Sequence, residues 1–161
     1  RMDGRAEPTL FEAAYDAFFR HYAADLTTRT RPYPGVVDTL EALRARGYAL
    51  GCVTNKPGRF TGPLLEALAL APYFEVTVAG DTLAVKKPDP APLLHALSAL
   101  GVATAYATMV GDSLADLNAA RAAGMRVLCV SYGYSPNARL ADHAPDALVD
   151  RMADILPLLA A

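Results

Sequence analysis

A chain of 161 residues, 53% apolar and 20% charged, carries enough hydrophobic material for one domain with a core plus a small appended element, and too much for a disordered polymer. Its formal charge of −2 argues against a general nucleic-acid binder, which would show a basic excess. No apolar run approaches the roughly 18 residues that cross a membrane.

The first stretch differs from the rest. Phe11, Tyr15, Phe18 and Tyr22 recur at helical spacing, flanked by Ala14 and Phe19, and predict a helix whose aromatic stripe serves packing rather than ligand contact. Polar residues 26–31 follow, and Arg31-Pro32-Tyr33-Pro34-Gly35 reads as a stiff connection. From Pro34 the pattern alternates. Val36, Val37, Leu40 and Leu43 form a helical stripe that Gly47 stops, and Tyr48 to Val53 is a short apolar strand ending at Thr54-Asn55. Leu64, Leu65 and Leu68 mark the next helix, and a strand lies around Glu75 to Ala79. Leu93, Leu94, Leu97 and Leu100 form a third stripe, stopped by Gly101. A strand over Ala107 to Val110, a helix over Leu114 to Ala123 and a strand over Arg126 to Val130 come next, with Ala147 to Val149 a candidate edge strand. Such alternation predicts an α/β fold: a doubly wound, mostly parallel sheet covered by helices on both faces.

The chemistry-bearing residues fall at strand ends. Met109-Val110-Gly111-Asp112-Ser113-Leu114-Ala115-Asp116 closes a strand with two carboxylates four residues apart, Asp116 one helical turn beyond Asp112. Ligands bind at that end of parallel α/β sheets, and one or two carboxylates suit a hard cation such as Mg²⁺. The competing reading makes Asp112 a helix cap and leaves Asp116 solvated. Thr54 and Asn55, after another strand, could bond phosphate oxygens or simply form a turn. Lys86-Lys87-Pro88-Asp89-Pro90 sets two lysines before a Pro-initiated helix, where solvation is the ordinary fate of such a pair.

The remaining candidates carry less. Cys52 and Cys129 have no Cys or His at ligand spacing and read as buried free thiols of a reducing compartment, which points to the cytoplasm. His21, His95 and His143 are too scattered to ligate a metal, and Ser113 has no His–Asp partnership to activate it. Lys56 and Arg59 read as solvated charge with a substrate carboxylate as the sharper alternative; Tyr132 and Tyr134 either border a site or pack.

Taken in order, Val53-Thr54-Asn55-Lys56-Pro57, Pro63-Leu64-Leu65-Glu66-Ala67-Leu68, Lys86-Lys87-Pro88-Asp89-Pro90-Ala91-Pro92-Leu93-Leu94, Gly111-Asp112-Ser113-Leu114-Ala115-Asp116 and Tyr132-Gly133-Tyr134 resemble the haloacid dehalogenase superfamily, and within it the phosphoglycolate phosphatase branch. The resemblance runs from about Leu10 onward. It implies a Rossmann-like core at 34–161 and the C-terminal part of a helical cap at 1–33. It further implies that Thr54, Asn55 and Lys87 bind the phosphoryl group, that Asp112 ligates Mg²⁺, and that Asp116 supports the metal, its waters or the lysine. Lys86, which does not abut the proline, matches less well. The implied protein is a Mg²⁺-dependent phosphatase of a small phosphorylated organic acid such as 2-phosphoglycolate, a monomer or homodimer, with no nucleic-acid or membrane partner.

One part of the family pattern is absent. The nucleophile belongs to an Asp-x-Asp-Gly-Thr motif ending the first strand, and Arg1-Met2-Asp3-Gly4-Arg5 has Arg where the nucleophile and Thr should stand and no apolar strand before it; it reads as a turn. The expectation is therefore a sequence that starts partway through a longer protein, its core lacking the first strand between the Thr54 strand and the Asp112 strand. Two strand edges would then lie open. The alternatives are a non-catalytic phosphate- or metal-binding or interaction module, and a receiver-like domain, which would need an acidic pair near its first strand.

Overall fold

Helix punctuation in the sequence is used as written. Gly101 (φ 67°) and Gly124 (φ 70°) take the left-handed conformation that ends a helix, each at or just past the last helical residue. The structure, a computed structural model, describes residues 10–15, 17, 19, 28, 30–133 and 140–159. The chain divides into two units, Arg1–Arg31 and Pro32–Ala161, two residues ahead of the boundary expected from the Pro-rich connection.

In the first unit residues 10–15 are helical. The rings of Phe11 and Tyr15 stack at 6.0 Å, and Tyr15 meets Phe19 edge-on at 4.2 Å, which is what four-residue spacing on a helix produces. Phe18, His21 and Tyr22 lie outside the described residues.

The second unit is the alternating α/β body. Helix α1 (Val36–Ala45) leads to β1 (Gly51–Val53), α2 (Gly58–Ala67), β2 (Val76–Val78), α3 (Ala91–Leu100), β3 (Thr108–Gly111), α4 (Leu114–Ala122), β4 (Arg126–Val130) and β5 (Ala147–Val149). All pairings are parallel, but the strands form two ladders rather than one: β1 with β2, and β3-β4-β5 with β4 central. Among the described residues β1 and β3 each pair on one side only.

Two cores lie on opposite faces, and β4 serves both. Successive strand side chains point to opposite faces, so Val127 and Cys129 join Leu93, Leu117, Ala119 and Ala120 beneath α3 and α4. Leu128 and Val130 join Leu43 of α1, Val149 of β5 and Ile155. Val53 at the end of β1 packs on the first core and Leu50, just ahead of β1, on the second. Helix α3 rests on β1 and β2, and α4 on β3 and β4, over the first core, while Leu43 of α1 joins the second, so helices cover both faces as the pattern predicted.

Candidate active site

The carboxyl ends of β1 and β3 bring the predicted residues together around one buried lysine. Lys87 precedes α3 and is buried, whereas Lys86 is exposed. The Lys87 ammonium donates to the Val53 carbonyl at 2.5 Å and to Asp116 Oδ1 at 2.6 Å, so one side chain reaches the last residue of β1 and the first turn of α4. The ion pair is sheltered on both sides, each side chain only 8% exposed. A buried charge is tolerated when paired and hydrogen-bonded, and this pair meets both conditions.

Asn55 explains how the lysine is aimed. Its Nδ2 donates to the Lys87 carbonyl at 2.8 Å and its Oδ1 accepts from the Lys87 amide at 3.1 Å, a two-point clamp across 32 residues of sequence. The amide expected to bind phosphate thus engages the lysine's own backbone through both ends. The Thr54 hydroxyl accepts from the Lys56 amide at 3.2 Å, which leaves its hydrogen to donate elsewhere. The loop is pinned to β2 from behind, with Thr54 N donating to Val78 O at 2.9 Å and Gly80 N to Lys56 O at 2.8 Å.

Asp116 is neither solvated nor arranged as a second open metal ligand. Ser113, not Asp112, caps α4: its hydroxyl accepts from the Asp116 amide at 3.3 Å and donates to Asp116 Oδ2 at 2.7 Å. The Ser113 and Asp112 amides each donate to the same oxygen at 3.2 Å. Burial pushes the Asp116 carboxyl up, but the Lys87 charge and these hydrogen bonds outweigh it and hold the group below its usual carboxylate value. The capping arrangement had a sequence signal, Ser113-x-x-Asp116, that the pairing of acids overshadowed.

Asp112, half-buried at the end of β3, is the remaining acid. The loop after β4 approaches it closely: Gly133 lies directly against its side chain, and Tyr132, whose ring sits 4.9 Å from that of Tyr33, is adjacent. Burial first, then Tyr33 and Asp112, raise the Tyr132 hydroxyl above its ordinary pKa. One carboxylate with solvent access fits Mg²⁺, which keeps several waters and takes its other oxygens from substrate phosphate. Among the described residues no cluster of three or more His, Cys, Asp or Glu could hold a metal by itself.

The haloacid dehalogenase-like hydrolase profile matches residues 4–130. The chain belongs to that family. The phosphoglycolate phosphatase of Nitrosococcus oceani is 46% identical over 98% of this chain and 70% of its own length, and that of Thiobacillus denitrificans 44% over 95% and 67%. Among solved structures, a predicted phosphoglycolate phosphatase from Haemophilus somnus superimposes with a TM-score of 0.92 at 36% identity, covering 97% of this chain and 69% of that one. CbbY from Rhodobacter sphaeroides, solved with phosphate, gives 0.84 at 27% identity over 99% and 72%. The haloacid dehalogenase-like fold thus accounts for the doubly wound body.

The other candidates stay outside this cluster. His95 is exposed on α3 and His143 is exposed beyond β4; Tyr134 lies outside the described residues. Arg59 is exposed, its guanidinium 4.8 Å from the Phe60 ring. Cys129 is buried, which pushes its thiol up to about 11, and burial likewise raises Cys52 against the opposing charge of Lys87. Neither is a ready thiolate at neutral pH. No described helix is long and apolar enough to cross a membrane.

Proposed function

We propose that this chain forms the core of a Mg²⁺-dependent phosphatase that hydrolyses 2-phosphoglycolate. The observation that carries the reading is the buried Lys87–Asp116 pair at the mouth of the gap between β1 and β3, flanked by Thr54 and Asp112. Phosphoryl transfer needs little from a protein beyond positioning and neutralisation of the equatorial oxygens, and these groups are suited to both. Lys87, fixed by Asn55 and Asp116, offers its positive charge to phosphate and to an attacking carboxylate. Thr54 donates its hydroxyl hydrogen to a phosphate oxygen. Asp112 would hold Mg²⁺, which when bound polarises the phosphoryl oxygens and offsets the charge repelling a nucleophile.

The nucleophile itself is an aspartate outside these residues, carried on a strand that fills the position between β1 and β3. Its carboxylate attacks phosphorus, the P–O bond to glycolate breaks as a second aspartate two residues further along that strand protonates the leaving oxygen, and water, deprotonated by the same group, then cleaves the aspartyl-phosphate to release inorganic phosphate. Asp116 takes no proton in this scheme; it holds the lysine. The names of the relatives support the substrate, and the strand-end residues support the reaction class.

The test is phosphate release from 2-phosphoglycolate by the intact protein, compared with hexose phosphates and pyrophosphate. Lys87→Met is expected to lower kcat by about 10²–10³-fold, the range for losing one preorganised charge-stabilising donor. Chelation should abolish release and Mg²⁺ restore it. Equal turnover by Lys87→Met, or full activity under chelator, would sink the mechanism. Failure to hydrolyse any of these esters while still binding phosphate would favour a non-catalytic phosphate-binding module.

A further inference from the structure

Two kinds of glycine stand out among the described residues. Turn glycines such as Gly101 and Gly124 have left-handed φ values and nothing within 4 Å of where a Cβ would stand, so backbone conformation selects them. Gly80, Gly111 and Gly133 are the reverse: none lies in the left-handed region, and each has a neighbour where the Cβ would be. A Cβ on Gly80 would overlap the Asn55 backbone, one on Gly111 the Asp116 side chain, and one on Gly133 the Cβ, Cγ and Oδ2 of Asp112. The three crowded positions stand behind three residues of the candidate site.

Gly133 differs from the other two in where its neighbour comes from. Gly111 is one residue from Asp112 within the same strand-to-helix turn, so its closeness to Asp116 belongs to that turn. Gly133 lies 21 positions beyond Asp112, in the loop that leaves β4, and reaches the carboxylate only because β3 and β4 are neighbours in register. Any side chain there must push either the loop or the carboxylate aside. Tyr132, packed on Tyr33, restrains the loop from the preceding position, so the displacement falls on the Asp112 side chain, whose Cβ stands in the way as closely as its carboxylate.

We infer that Gly133 is a positioning residue for Asp112. Its missing side chain lets the β4 loop back the carboxylate and fix the rotamer in which that group binds Mg²⁺. The inference rests on the proposed metal role of Asp112. Loss of a group that orients a metal ligand without touching the metal typically costs about 10–100-fold in binding.

Titration of the intact protein with Mn²⁺, followed by electron paramagnetic resonance of the free ion, reads the metal directly and without turnover. Wild type should bind, Asp112→Asn should lose the site, and Gly133→Ala should weaken it by about 10-fold or more. Gly62→Ala, a helix position with nothing within 4 Å of the added carbon, should bind as wild type does. Wild-type affinity in Gly133→Ala, with binding abolished in Asp112→Asn, would overturn the positioning role and leave the metal role standing. Binding unchanged by Asp112→Asn would overturn both.

A melting-temperature cycle covers the case in which Gly133→Ala folds poorly. Asp112→Gly removes the three atoms nearest to the added carbon, so the loss caused by Gly133→Ala should largely vanish in the Asp112→Gly background. An equal loss in both backgrounds would place the fault in the loop and refute the inference.

Discussion

Asp116 is an acid whose work is done on a lysine. Its folded pKa lies below the ordinary value, so the pair contributes fully above about pH 4 and the contribution drains as pH falls below that toward the folded pKa. Asp116→Asn should therefore be less stable at neutral pH by about 3–5 kcal/mol, because it leaves a buried ammonium short of its counter-charge. The deficit should shrink at pH 3, where wild type begins to lose the same interaction. Urea midpoints at the two pH values decide it, and a deficit independent of pH would exclude the ion pair as the cause. The residue was legible in the sequence as one of two carboxylates, and the resemblance left the metal, its waters or the lysine open as its partner; the structure shows the lysine. Nothing in spacing says that an acid at 116 meets a lysine at 87 rather than a metal, since the two approach only after α3 and α4 dock.

At the scale of elements, local rules carried further. Turn glycines and apolar stripes bounded the helices, and each predicted strand is present: β1 starts at Gly51 rather than Tyr48, β2 loses one residue at each end, and β3 is shifted by one to Thr108–Gly111. The start of α4 depends on Ser113, which serves its helix and the site with one hydroxyl. Ser113→Ala should cost about 1 kcal/mol as a lost cap, with a further share for the hydrogen bond withdrawn from buried Asp116. Urea denaturation with unchanged m-value checks this; a cost near zero would mean that the backbone amides alone hold the carboxylate. The Asn55 clamp was read as a phosphate ligand because amides at strand ends commonly serve that purpose. Its actual engagement follows from the approach of two loops 32 residues apart, which no local pattern encodes. Asn55→Ala should accordingly raise KM and lower kcat together, as misplacing Lys87 would do, whereas a mere phosphate contact would change KM alone.

For the whole molecule the decisive feature is the sheet parted between β1 and β3. Each strand's amides alternate between its two neighbours, so β4, paired on both sides, should exchange slowest with solvent. In the 161-residue chain alternate amides of Gly51–Val53 and Thr108–Gly111 should exchange markedly faster, and hydrogen exchange followed residue by residue measures this. Uniform protection across β1, β3 and β4 would mean that the gap is bridged. An open position between β1 and β3 was an expectation of the family order, and among the described residues each of those strands pairs on one side only. That the two flanking ladders would still share cores on both faces was not legible, because that depends on how α1, α3 and α4 pack across them.

The double duty of β4 bears on which changes of length the fold can survive. Four consecutive residues of the strand, Val127 to Val130, are all buried, alternately to one core and the other, and all are apolar or nearly so. Exchanging one such side chain for another alters packing modestly. Deleting a single residue exchanges the two sets wholesale, and also drags Gly133 off Asp112. Lineages descending from this chain are therefore free to drift in the spelling of β4 while its length stays frozen, with indels tolerated only where the backbone leaves the sheet.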